Sequence, residues 1–175
     1  MKHTILTKSF LIFLIFSMNF FNSQSGNKPD FNYPKDVSAT AISDIEKAAK
    51  SGNDALLCDA LIRYSVAQSL ISDINANACL KKIDEYRGKM SGTDYKAIVT
   101  LLEANIYSNL KTKCYSTEVH DSFPVNLDEW SKSDFDNRIK LLYDDVFANI
   151  SQLHKCDIKN YASLINANPD FFPTL

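Results

Sequence analysis

From residue 38 onward, apolar side chains return every three or four positions, and no proline interrupts the chain between residues 35 and 123. A period near 3.6 residues marks an amphipathic helix, so the pattern predicts a helical domain. The first helix is expected from residue 38 to about 50, with Ile42, Ile45 and Ala49 on one stripe, and Ser51-Gly52-Asn53 should stop it. Gly52 suits the left-handed position that ends helices, and Asn53 can cap the next one. The second helix sets Leu57, Leu61, Tyr64 and Gln68 along one face, widened by Leu56 and Ala60. The third should begin at Ser72 or Asp73, align Ala76, Leu80 and Ile83, and end near Gly88 or Gly92. The fourth follows Gly92, with Thr93 placed to accept from exposed backbone N–H groups and Ile98, Leu102, Ile106 and Leu110 as its stripe. Its last turn carries Lys111 and Lys113, where the helix dipole favours cations.

The period then lapses over "YSTEVHDSFPVNLDE", which holds Pro124. A long irregular stretch inside a compact domain is uncommon and is either a covering strap or a binding segment. Val119, Phe123, Val125 and Leu127 would anchor a strap over the helices. Next comes a clear start signal, "WSKSDF": Ser131 is a good N-cap, Asp134 can return its bond, and Trp130 and Phe135 occupy the hydrophobic-staple positions. The stripe Phe135, Ile139, Leu142, Val146, Ile150 and Leu153 predicts a long helix, and Leu141, Tyr143 and Phe147 off that stripe suggest contact on more than one side. A last short helix is expected from Asp157 or Ile158 to about Asn166, carrying Tyr161, Leu164 and Ile165. No segment alternates strictly enough to require a strand. The expected fold is therefore all-α: an irregular antiparallel array of about six helices in tetratricopeptide-like pairs, without that family's 34-residue signature.

The first 25 residues stand apart. Lys2, His3 and Lys8 precede an apolar run from Phe10 to Phe21, broken only around Ser17 and Asn19, with Ser23 and Ser25 as small residues before Gly26. The layout is that of a signal peptide, and its core falls short of the roughly 20 residues a membrane span needs. With no Cys directly after the run, a lipid anchor has no acceptor. Residues 26–36, with two Pro and one Gly, read as a linker, and 37–175 as the helical domain. Removing the leader takes two of the 19 basic residues and no acidic one, leaving 17 against 21. A net charge of −4 without a basic aromatic-interleaved stripe points away from nucleic acid. Export permits disulfides, and Cys58, Cys79, Cys114 and Cys156 allow two bridges in any of three pairings. They are equally compatible with buried free thiols.

Candidate chemistry is sparse. Cys114 with His120, and His154 with Cys156, are the nearest approach to metal or nucleophile pairs, but two ligands do not make a site. The carboxylate pairs Asp128 and Glu129, Asp134 and Asp136, and Asp144 and Asp145 either point apart on a helix or favour its N-terminal dipole end. Four Gly leave little to build a phosphate cradle, and no nucleophile elbow or zinc-protease helix occurs. The sequon at Asn149 reads as idle. No cofactor, metal or catalytic residue is assigned.

"DEWSKSDFDNRIKLLYDDVFANISQL", "CDIKNYASLINAN" and "FFPTL", in that order, resemble the N-terminal helical region of large bacterial alpha-2-macroglobulin-like proteins. There, a Trp-Ser helix start, a long amphipathic helix, a short "I-x-x-Y" helix and "P-T-L" lead into "Y-D-F-L-A". "TDYKAIVTLLEANIYSNL" is similar to the helix before them. The resemblance implies an exported, non-enzymatic structural or interaction region, in a family whose better-known members trap proteases. The protease-trapping apparatus, including a Cys-Gly-Glu-Gln thioester motif, is not in this chain. Its partners would then be macroglobulin-like domains of the same polypeptide, the apolar ending Phe171, Phe172 and Leu175 marking a cut. The other reading is an independent exported helical-repeat module in the periplasm or envelope, whose loop near Pro124 contacts another protein.

Overall fold

The computed structural model describes residues 33–71, 76–153 and 155. The described residues are all helix and irregular connection: α1 (Pro34–Ser51), α2 (Asp54–Ile71), α3 (Ala76–Arg87), α4 (Thr93–Thr112), a 3₁₀ turn (Leu127–Glu129), α5 (Lys132–Ala148) and α6 (Ile150–Leu153). No strand occurs among them. The leader at 1–25, the proposed start of α3 at Ser72 or Asp73, and the last helix at 157–166 lie outside the described residues.

Local chemistry explains most of the boundaries. α1 starts at Pro34, inside the segment read as linker and ahead of the expected residue 38. Pro34 lacks an N–H that the first turn could not use anyway, and Asp36 faces the positive end of the helix. Gly52 ends α1 at φ 64°, where its N–H and that of Asn53 reach carbonyls of the last turn. Asn53 Oδ1 then accepts the Leu56 N–H at 3.0 Å, starting α2 after a two-residue reversal that lays the helices antiparallel.

α1 packs on α2, α4 on α5, and α3 touches both α2 and α4. The buried face of α1 is Val37, Ser38, Ala41, Ile45 and Ala48, so only Ile45 of the expected stripe is central. The facing helix supplies Ala60 and Ala67, both fully buried, and small residues on each side let the pair approach closely. Ser38 Oγ accepts from Gln68 Nε2 at 2.7 Å across this seam, and Arg63 ties Asp44 of α1 to Asp59 of α2 at 3.0 and 2.8 Å. Leu56, expected to widen the core, is 58 % exposed, and Cys58 is buried in its place.

α4 is the central helix, against α2, α3, α5 and α6. It therefore buries Ala97, Val99, Thr100, Leu102, Glu103, Ala104 and Tyr107 rather than one stripe, while Ile98, Ile106 and Leu110 are half-buried. It starts after Gly92 as expected, but its N-cap is Gly92 itself and Thr93 makes no cap bond, which corrects the capping role expected of Thr93. Asp54, at the head of α2, instead accepts the Ser91 and Gly92 N–H groups at 2.8 and 2.7 Å and the Ser91 hydroxyl at 2.9 Å, joining two chain reversals. A Cβ at 92 would press on the side chains of Asp94, Tyr95 and Asp54, which would have to shift to admit it.

The helix expected to run to Leu153 breaks at Asn149. The Asn149 amide bonds the Asp145 carbonyl at 3.0 Å, competing with the helix ladder, and its own carbonyl accepts from Gln152 and Leu153 to begin α6.

Candidate functional site

The irregular stretch between α4 and α5, residues 113–131, is a loop whose two ends meet. The Cys114 thiol donates to the Trp130 carbonyl at 3.1 Å, and the Lys132 N–H donates to the Ser116 carbonyl at 3.2 Å. Loops of this closed form are compact and are frequent carriers of function.

Its base rests on an aromatic core. Trp130 is sandwiched: Tyr107 of α4 stacks on one face at 5.3 Å and 5°, and Phe123 of the loop on the other at 5.0 Å and 22°. Phe135 tilts against Trp130 at 5.1 Å, which is the staple contact read from "WSKSDF". Leu80, Ala104 and Leu142 complete the cluster, with Leu127 and Cys114 packed beside it. The indole Nε1–H donates to the Pro124 carbonyl at 2.8 Å, so a buried tryptophan leaves no polar atom unpaired. Farther along, Asn126 Nδ2 bonds Glu129 Oε1 at 2.8 Å and steadies the 3₁₀ turn.

The second anchor is electrostatic. Ser131 and Asp134 form a full capping box: the Asp134 N–H donates to Ser131 Oγ, and Asp134 Oδ2 takes the Ser131 N–H at 2.8 Å. The same oxygen accepts the Ser131 hydroxyl and lies 2.7 Å from His120 Nδ1. Glu118 Oε2 sits 3.7 Å from the other ring nitrogen. Burial works against the Asp134 charge, but the Ser131 N–H and hydroxyl and His120 outweigh it and hold the carboxyl below its ordinary value. The Asp134 bond, aided by the Glu118 and Glu129 charges, raises His120 above the ordinary imidazole value against a smaller cost of burial.

Serine, histidine and aspartate thus come together, yet in the wrong order for a nucleophile. Such a triad needs the imidazole between hydroxyl and carboxylate, whereas here the carboxylate lies between the other two. Ser131 is also 0 % exposed, closed to any substrate. Cys114 and His120 do not converge, since one faces the Trp130 carbonyl and the other Asp134. Among the described residues no group of three or more His, Cys, Asp or Glu gathers as metal ligands. His154 and Cys156 lie outside the described residues. Asp144 is taken by Lys140 at 2.6 Å, and Asp136 pairs with Lys111.

The outer part of the loop departs from a pure strap. Leu127 packs inward and Phe123 covers Trp130, but Val119 and Val125, expected as anchors, are 81 % and 98 % exposed, and Tyr115 is 90 % exposed. Short loop segments running from one anchor to the next pin the backbone while these side chains face water. The sequence offered four apolar residues and no means of telling the inward two from the outward two.

Glu103 of α4, 1 % exposed, holds Arg87 of α3 at 2.6 Å and Arg138 of α5 at 2.8 Å. Burial pushes its pKa above the ordinary glutamate value even as the two guanidiniums pull it down, and all of its partners are structural. A shallow groove of about 470 Å³ is lined by Tyr33, Pro34, Lys35, Asp36, Leu70 and Ile71. Among the described residues no helix is long and apolar enough to cross a membrane. No family model, curated protein or solved structure matches the chain.

Proposed function

We propose that this chain is an exported, non-enzymatic protein-binding module, in which the helical array holds out the 113–131 loop as the contact surface. One observation carries the reading: Tyr115, Val119 and Val125 are turned to solvent from a loop tied down at its base by stacking, hydrogen bonds and an ion pair. Exposing apolar groups costs free energy, and a rigid base removes much of the ordering entropy a binding loop would otherwise lose on contact. Exposed apolar side chains on a pinned scaffold are the features of a contact surface. The loop also carries Glu118, Asp121, Asp128 and Glu129 with no Lys or Arg between residues 114 and 131, so the partner surface would place basic groups around an apolar one. The signal-peptide layout of residues 1–25 is what supports a partner in the periplasm or cell envelope.

The test is site-specific photo-crosslinking in cells that produce the full chain. A photoreactive residue at position 125 should give one discrete adduct, whereas the same residue at exposed Lys47 of α1 should not. Equal, diffuse adducts from both positions would sink the reading.

A narrower form makes the chain the N-terminal helical region of an alpha-2-macroglobulin-like protein, with the partner supplied by the same polypeptide. What supports it is the order of the motifs around "WSKSDF", together with an all-helical body. Sequencing the reading frame past Leu175 decides it: a continuation through Tyr-Asp-Phe-Leu supports it, and a natural stop codon ends it.

A further inference from the structure

The contact between His120 and Asp134 joins the outer loop to the first turn of α5, and its chemistry depends on one proton. The two ring nitrogens face two carboxylates: Nδ1 lies 2.7 Å from Asp134 Oδ2, and Nε2 lies 3.7 Å from Glu118 Oε2. A protonated ring donates through both nitrogens. A neutral ring has one N–H and one lone pair, so either tautomer aims a lone pair at a carboxylate. If Nδ1 keeps the hydrogen, Nε2 confronts Glu118; if Nε2 keeps it, Nδ1 confronts the buried Asp134. At 3.7 Å the Glu118 contact is electrostatic and not a hydrogen bond, so a neutral ring with Nδ1–H keeps the Asp134 bond but loses the charge that both carboxylates favour.

We propose that His120 is a proton-operated latch: protonated, it holds residues 117–122 against the α5 N-terminus, and on losing the proton it loosens that segment while the rest of the loop stays fixed. Two of the remaining anchors, the Trp130 to Pro124 hydrogen bond and the Lys132 to Ser116 backbone bond, contain no titratable group. The charged groups that act on the ring are Asp134 from α5, Glu118 from the loop itself and Glu129 from the 3₁₀ turn, all acidic, so each favours the closed, protonated form. Asp134 remains a carboxylate throughout because Ser131 supplies two donors to it in either state of the latch.

The direction follows from linkage. Closing the loop raises the imidazole pKa, so the latch contributes fully at pH values below the free imidazole value, about 6.5. Its contribution is lost as pH rises through the raised value. Resting on the reading of the loop as a contact surface, this makes binding through Val119 pH-dependent: one fixed geometry in mildly acidic surroundings and a looser one in alkaline surroundings.

The experiment uses the full mature chain and hydrogen exchange of backbone amides 117–122, corrected for intrinsic rates, between about pH 5.5 and pH 8.5. Protection should fall on going to alkaline pH, by about tenfold for each unit by which closure raises the pKa. H120Q should show the low protection at every pH and no transition. H120R, a permanent cation, should keep the loop closed at the alkaline end. E118Q should move the transition to lower pH, since it removes one of the two carboxylates. The chain has a single tryptophan, Trp130, so its emission reports whether the aromatic anchor stays intact while the latch opens. Protection that is flat with pH, or that changes equally in H120Q, overturns the latch. These readouts need no partner, so a working latch with no crosslink from position 125 would overturn the binding reading alone.

Discussion

Gly52 has φ 64°, a conformation in which an L side chain presses its Cβ toward the following carbonyl, and an added Cβ there would meet nothing within 4 Å. A Gly52→Ala substitution is thus a backbone effect with no packing gain, expected to lower stability by about 1 kcal/mol and to shift the urea midpoint without changing the slope. Asp54, two residues on, gives a pH-dependent counterpart. Burial opposes its charge, but donors from Gly92 and Ser91, with Lys96 nearby, hold its carboxyl below the ordinary value. A depressed carboxylate contributes stability that is present above its unfolded value, about 3.9, and is lost as pH falls through the folded one. The stability gap between the native chain and Asp54→Asn should accordingly be open at neutral pH and close below about pH 4, as followed by chemical denaturation at each pH. A gap that persisted unchanged into acid would show that the carboxylate charge is not what joins the two reversals. Features of this kind were readable beforehand where donor and acceptor are near in sequence. Gly52, Asn53 and the Ser131 and Asp134 box all lie within five residues of their partners. The Asp54 clasp spans 37 residues, and no local pattern announces it.

At the scale of elements, the period of each helix was legible and the buried face often was not. α1 buries Val37, Ser38, Ala41, Ile45 and Ala48 because its neighbour is close and small-residued, and α4 is buried on several sides because it is central. A stripe read from hydrophobicity assumes one neighbour on one side. The same assumption hides Glu103, which looks like a surface residue on a helix and is instead the junction of three. With Arg87 and Arg138 each about a quarter exposed, Glu103 sets the relative placement of α3, α4 and α5. Replacing it with Gln leaves two guanidiniums facing a neutral amide that can satisfy only one of them well. A loss of about 2–3 kcal/mol is expected in equilibrium unfolding, below the upper range for a broken buried pair because both arginines keep some access to water. The loss should be much smaller when Arg138 is first removed, which a double-mutant cycle would measure. Additive effects would mean the carboxylate serves Arg87 alone.

Across the whole molecule, the cysteines offer a test of how cooperatively the array is built. Cys58 on α2 and Cys79 on α3 are free and buried, and burial pushes their thiols up to about 12 and about 11. At neutral pH almost none of either is thiolate, and neither is reachable, so both must wait for the helices to separate. Cys114 is also free but half-buried, at the base of the loop, where only its bond to the Trp130 carbonyl and the neighbouring stack need to open. Cys156 lies outside the described residues. α3 contacts both α2 and α4, and Glu103 fastens it to α5, so α3 links the α1–α2 pair to the rest of the array. Peptide-resolved thiol labelling in graded urea should then show Cys58 and Cys79 reacting together, with a rate that tracks global unfolding, and Cys114 reacting earlier and with weaker urea dependence. If Cys58 were labelled well before Cys79, the α1–α2 pair would be a separately opening unit and the array would be two stacked pairs. If Cys114 followed the global rate, the base of the loop would be as firmly held as the core.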